Sequence, residues 1–225
     1  MQKQFKYLGF ITAFFVTVLL VSNIASSKIL ILGPFTFDGG TILFPLSYIF
    51  GDILTEVYGY GRSRKVIWTG FFMILLASIV FMVVQKLPPA PDWNGQAAYD
   101  QILGLTPRIV AASMCAYFAG EFSNSYILAK MKIWMKGKFL WMRTIGSTLI
   151  GEGFDTVIFV MLAFFGVEGF GTDLLITIII SNYVFKVLVE ILFTPVTYAA
   201  VKLLKKHEEE DHFDHETNFN PFKIG

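Results

Sequence analysis

FPLSYIFGDILTEVYGYGRSRKVIW, residues Phe44–Trp68, contains an apolar, aromatic run, a glycine-rich break, a basic cluster (Arg62, Arg64, Lys65) and the start of a second apolar run. Two membrane spans joined by a short basic loop read this way, because Lys and Arg collect in loops on the cytoplasmic side. The first run also carries two carboxylates, Asp52 and Glu56, spaced i,i+4 and so on one face of a helix. A charge in a membrane span needs a reason.

Working outward, the whole chain follows the same pattern. Its 225 residues are 55% hydrophobic, 16% aromatic and only 16% charged, a balance too apolar for a soluble domain of this length. The reading is an all-α integral membrane protein. Six runs reach the roughly 20 residues that a spanning helix needs: Leu8 to Ala25, Thr41 to Tyr60, Val66 to Val84, Ile109 to Ala129, Thr144 to Phe165 and Leu174 to Val201. With both termini in the cytoplasm, the inner loops hold Lys3, Lys6, Arg62, Arg64, Lys65, Lys130, Lys132, Lys136, Lys138, Arg143, Lys202, Lys205 and Lys206. The outer loops then hold only Lys28, Lys86 and Arg108, and dropping one span scrambles this separation. The first run has no cleavage-site pattern and is kept as a helix.

One six-helix transmembrane transporter domain is expected over 1–206, followed by a charged, disordered cytoplasmic tail over 207–225. His207, His212 and His215 in that tail have metal-ligand chemistry, but a solvated tail accounts for them better, and no metal is assigned. The long outer segment Leu87 to Arg108 holds a short helix-like AAYDQIL, and ILGPFTFDGG before the second span is expected to dip into the protein. Cys115 lies in an apolar run and reads as a small packing residue. A net charge of +1 without a basic stripe excludes nucleic acid as a partner.

The ionisable residues inside the spans carry the functional reading. Besides Asp52 and Glu56 they are Glu121, Glu152, Asp155, Lys186 and Glu190, with Asn124 and Asn182 close by. Glu152 and Asp155 are i,i+3, and Asn182, Lys186 and Glu190 advance in i,i+4 steps, so each set shares a helix face. Counted from the basic loops, Asp52, Glu121 and Glu152 each lie on the order of 12 Å below the inner surface. Each also follows a glycine (Gly51, Gly120, Gly151), and that recurrence points to a tightly lined cavity. A charged side chain costs roughly 2.5 to 3.5 kcal/mol at a helix centre, so these groups are expected to face inward. One lysine cannot neutralise four acids, which favours a binding site or polar path over simple helix glue.

Three classes of function fit such an interior. A small-molecule transporter would bind its ligand between helices at membrane depth. An intramembrane aspartyl enzyme would pair two carboxylates, but Ile49 occupies the first glycine position of a GxGD motif, and no zinc, serine-hydrolase or Walker motif is present. The chain is therefore read as no enzyme and as needing no cofactor. The substrate-binding subunit of an ATP-driven vitamin importer is the remaining alternative.

The residues then resemble a known family, the queuosine precursor transporters or vitamin uptake transporter-like proteins. The resemblance rests on SNIASSKI (Ser22 to Ile29), the Phe44 to Trp68 stretch, LPPAP (Leu87 to Pro91), GEFSNSYILAKMK (Gly120 to Lys132) and RTIGSTLIGEGFDTVIF (Arg143 to Phe159). It implies uptake of 7-cyano-7-deazaguanine or 7-aminomethyl-7-deazaguanine, precursors of a modified tRNA nucleoside, through the inner (plasma) membrane. It places weight on Asn23, Lys28, Asp52, Glu56, Arg62, Arg143 and Asp155. Combined with the buried polar groups, the expected substrate-binding set is Asn23, Asp52, Glu121, Asn124, Glu152, Asp155, Asn182 and Lys186, with Asp52 and Glu56 as candidates for proton coupling. The expected partners are the deazapurine and the lipid bilayer, with a homodimer as an open alternative.

Overall fold

The computed structural model of the chain describes residues 5–32, 35–104, 107–167 and 171–223. Seven α-helices are present among them: α1 Leu8–Ala25, α2 Phe44–Tyr58, α3 Tyr60–Lys86, α4 Gln96–Leu103, α5 Pro107–Trp134, α6 Leu140–Phe164 and α7 Thr172–Glu208. A short antiparallel pair, β1 Ile29–Leu32 with β2 Phe35–Asp38, and a 3-10 turn Gly39–Ile42 join α1 to α2. Six of the described segments are long and apolar enough to cross a membrane, as the hydropathy reading expects. The helix-like AAYDQIL is α4, too short to span.

At 15 residues, α2 rises about 22 Å, less than the roughly 30 Å of a hydrocarbon core. The 3-10 turn extends it to an apolar span of 20 residues, Gly39–Tyr58. Irregular backbone at that level survives only where protein encloses it, and α2 is enclosed: twelve of its residues are buried, against three of the 18 in α1. The outer surface of the bundle is apolar, with Phe10, Phe14, Leu76 and Leu192 exposed where acyl chains would lie. Cys115 belongs to that exposed surface, which corrects its reading as an interior packing residue. The short basic loop expected between the second and third spans is instead the first turn of a helix. Gly59 breaks the helix in a single residue with φ +83° and ψ 164°, a backbone region essentially reserved for glycine, and α3 begins at Tyr60 instead of Val66.

α5 and α6 form a tight antiparallel pair across the turn 135–139, where Lys136, Gly137 and Phe139 have positive φ. Their backbones meet at Gly120 and Gly151: a Cβ on Gly151 would lie 2.9 Å from the Gly120 carbonyl oxygen and equally close to the Tyr48 ring. Two of the three glycine–acid pairs thus mark close helix packing with Tyr48 wedged beside it, not the wall of a cavity.

Both ends of the described chain meet at the basic end of the bundle, where the Glu208 carboxylate accepts hydrogen bonds from the Lys6 and Tyr7 backbone N–H groups and the Tyr58 hydroxyl. An even number of crossings brings the ends together in this way. The expected solvated tail is corrected here. Residues 211–222 lie across the ends of α2, α3 and α5, with Asp214 accepting from the Tyr60 N–H at 3.0 and 3.1 Å and Arg64 donating to the Asn218 and Asn220 carbonyls at 2.8 and 2.7 Å. The break at Gly59 leaves the first N–H groups of α3 without helical partners, and an acidic segment is well placed to satisfy one of them.

Candidate functional site

A cavity of about 830 Å³ lies in the half of the bundle away from the basic end. All seven helices and the β pair contribute to its wall. Of the sequence-predicted residues it brings together Asn23, Asp155, Asn182 and Lys186. Its floor is ionic. The Lys186 ammonium donates to Asp155 Oδ2 at 2.7 Å and touches Glu152 Oε2 at 2.9 Å, the second an ion-pair contact without hydrogen-bond direction. The same ammonium sits 4.6 Å from the centre of the Phe44 ring, a cation–π arrangement that steadies a charge held away from water. Phe44, Phe37 and Phe159 supply flat apolar wall, and hydroxyls such as Ser22, Ser113 and Thr156 supply polar edges.

The other predicted residues do not line this space. Asp52, Glu121, Asn124 and Glu152 lie beneath its floor in a sealed layer between α2, α5 and α6, each essentially without solvent contact. Asn124 donates to Asp52 Oδ1 at 2.7 Å, and Glu121 Oε2 is 3.1 Å from where a Cβ on Gly51 would be. The shared depth read from helical rise thus appears as contact. The expectation of one cavity lined by all the acids is corrected to two levels: Asp155 with Lys186 at the cavity floor, and the sealed layer one turn further in. Both carboxylate oxygens of Glu121 and of Glu190 on α7, one oxygen of Asp52 and the Asn124 carbonyl oxygen have no hydrogen-bond partner among the described residues. Isolated polar groups of this kind are expensive to bury and are kept where a fold uses them.

Glu56 occupies a third level, at the basic end. Arg143 reaches it with both terminal nitrogens, Lys205 donates at 2.6 Å and Lys132 lies 3.6 Å away. Arg143 also donates to the Lys138 and Gly137 carbonyls, so one guanidinium ties the α5–α6 turn to α2, a task its rigid five-donor fork performs and a lysine would not. Glu56 therefore neither snorkels to the surface nor stands free as a proton carrier; it is a fixed countercharge among three cations. Arg62 hydrogen-bonds the Tyr58 carbonyl and lies 3.6 Å from Glu210, whereas Lys28 is exposed at the opposite end. Asp211 of the tail completes the cluster, accepting from Lys132 at 2.6 Å and lying 2.8 Å from Lys205. Burial pushes the Asp211 carboxyl up, but hydrogen bonds from Lys132 and Lys205 outweigh it and hold it below its ordinary value. A depressed value means this pairing is complete at neutral pH and is lost only as pH falls through the folded-state value.

Sequence reasoning missed the hydroxyl lining and the tail acids. Ser22 and Ser26, i,i+4 within SNIASSKI, were the legible signal for the first. The tail's mixed charge concealed the second, because composition alone reads it as solvated.

A family model described as "Putative vitamin uptake transporter" matches residues 38–200. A protein of Bacillus subtilis named a probable queuosine precursor transporter is 30% identical over 205 residues, covering 91% of this chain and 86% of the relative. A queuosine precursor transporter of Escherichia coli is 26% identical over 85% of this chain and 84% of its own, and a probable one of Haemophilus influenzae is 24% identical over 72% and 67%. No solved structure matches. With six spanning helices around a buried polar interior and relatives that are named transporters over nearly their whole length, the chain belongs to the vitamin uptake transporter family, as a multi-pass membrane transporter and not an enzyme.

Proposed function

We propose that the protein takes up a 7-deazaguanine base, 7-cyano-7-deazaguanine or its aminomethyl relative, across the inner (plasma) membrane, with both termini in the cytoplasm and the cavity open to the outside. The observation that carries this reading is that Asp155 and Asn182 face one aromatic-walled space of about 830 Å³, a size within the roughly 300–1,000 Å³ range of small-molecule sites. A guanine-like edge presents a ring N–H and an amino group side by side, and one carboxylate accepts both. Asp155 takes that role, Asn182 donates to the ring carbonyl, and Phe44 and Phe159 flank the ring. Lys186 holds Asp155 while the site is empty, and Glu152, 2.9 Å from the ammonium, receives it when the base displaces it. Asp52, in the sealed layer, is the candidate for carrying a coupled proton.

The test is uptake of labelled 7-cyano-7-deazaguanine and of the aminomethyl base into proteoliposomes, with and without a pH gradient. Saturable uptake, competed by unlabelled base, is expected. Failure to accumulate or exchange either base overturns the assignment. A matching test in cells deletes the gene in a strain unable to make the base and supplies the base at low concentration; loss of queuosine from tRNA is expected, with vitamin uptake unchanged.

A further inference from the structure

The cavity lies in the half of the bundle away from the basic end. Its floor at Asp155 and Phe44 stands about 18 Å, twelve residues of helix rise, from Arg143 and Glu56 at the basic end. Polar side chains continue down the four facing helices over that distance: Asp52 and Glu56 on α2, Glu121 and Lys132 on α5, Glu152 and Arg143 on α6, Glu190 and Lys205 on α7. Buried polar groups stacked in this way trace the route a polar solute would take between those helices.

Across the end of that route lies the segment after α7. Asp211 bridges Lys132 of α5 to Lys205 of α7, and the His212 carbonyl accepts from Lys132 at 2.7 Å while its N–H donates to the Val57 carbonyl of α2 at 3.3 Å. Further on, the Trp68 indole of α3 donates to the Pro221 carbonyl at 2.8 Å, and the Phe222 ring stacks on Phe118 of α5. The charges require this cover. Glu56 alone faces Arg143, Lys132 and Lys205, so without Asp211 two largely buried lysines share one already engaged carboxylate. The hold is uneven along the segment: Asp214 is buried and Phe219 packs against the core, whereas the Asp211 bridge lies at a rim where its side chain is 49% exposed, and contacts of that kind open at the lowest cost.

We propose that residues 209–222 are the inner gate of the transporter, a latch that seals the route between α2, α5, α6 and α7 and must lift for substrate to leave, with Asp211 as the charge that closes it again. Transport by rocking one group of helices against another would part α5 from α7 at this end, and the Lys132–Asp211–Lys205 bridge spans them there, beside the Glu56 carboxylate that meets the same two lysines. The inference concerns the transport step and stands apart from which base is carried.

The experiment locks the latch. A Cβ on Gly61 would lie 3.9 Å from the Thr217 methyl and meets nothing else, so Gly61→Cys with Thr217→Cys, in a Cys115→Ser background, places two thiols for a disulfide. In proteoliposomes with labelled 7-cyano-7-deazaguanine, oxidation should lower uptake more than tenfold and reduction should restore it. Uptake by the oxidised protein within twofold of the reduced form overturns the proposal. A second readout needs no substrate: Thr197→Cys, buried on α7 between Glu190 and Lys205, should react with a soluble maleimide from the inner side at least tenfold faster once Asp211→Ala and Asp214→Ala are added. Unchanged labelling overturns the gate whatever the substrate is, whereas altered labelling with no uptake of the base by the parent rejects the substrate and keeps the gate.

Discussion

Replacing Glu56 with glutamine removes the carboxylate that Arg143 reaches and leaves three cations with Asp211 as their remaining acidic neighbour among the described residues. Breaking a buried ion pair from one side costs about 3 to 5 kcal/mol, so Glu56→Gln should lower the thermal unfolding temperature of the detergent-solubilised protein sharply, and Asp211→Asn much less. At the cavity floor the expected loss is in binding. Asp155→Asn turns one acceptor into a donor facing the donor edge of the base, and should cost about 2 to 5 kcal/mol of affinity by equilibrium binding while the protein still reaches the membrane. Glu121→Gln, sealed beneath the floor, should leave affinity within a few fold; equal losses at both positions would mean that the two levels act as one site. Asp52→Asn should bind and exchange substrate as the parent does yet no longer respond to a pH gradient, and counterflow with and without the gradient reads this directly.

Among the elements, the α2–α3 corner is the most constrained. Gly59 has a backbone conformation closed to side chains, and a Cβ there would lie 2.1 Å from the His212 ring. Gly59→Ala should therefore cost about 1 to 3 kcal/mol from the backbone alone and dislodge the tail as well. Limited proteolysis after residue 209 in inside-out vesicles measures the second effect, and a tail equally protected in the variant would show that docking does not depend on this corner. α7 contributes at every level: Asn182 and Lys186 at the cavity, Glu190 in the sealed layer and Lys205 at the gate. Pro195 lies between the last two, where it removes one helical hydrogen bond.

For the whole molecule, the membrane orientation follows from charge. The basic end carries the α2–α3 and α5–α6 turns and both ends of the described chain, and the orientation proposed above, with this end in the cytoplasm, rests on the positive-inside rule. Cysteines at Trp93 or Ala97, exposed beside and on α4, should react with an impermeant thiol reagent added to intact cells, and one at Lys136 should not, once Cys115 is removed. Labelling of Lys136→Cys from outside would invert the protein.

Hydropathy and loop charge determined the six spans, their parity and the apolar outer surface, because the bilayer acts on each helix separately and its demands are written along the chain. Helical spacing likewise placed Asp52, Glu121 and Glu152 at one depth, since rise per residue is a property of the helix alone. Which of those acids face open space was not legible. Gly120 and Gly151 read equally well as cavity wall and as helix contact, and only the packing of α5 on α6 around Tyr48 decided for contact, leaving Asp155 at the cavity and Glu121 behind it. The tail is the sharper case. KKHEEEDHFDHETNFNPFKIG has three scattered Phe but no apolar periodicity that demands burial, and its place is set by partners distant in sequence: the Tyr60 N–H, Lys132, the Arg64 guanidinium and the ring of Phe118 exist as a docking surface only after α2, α3 and α5 have packed.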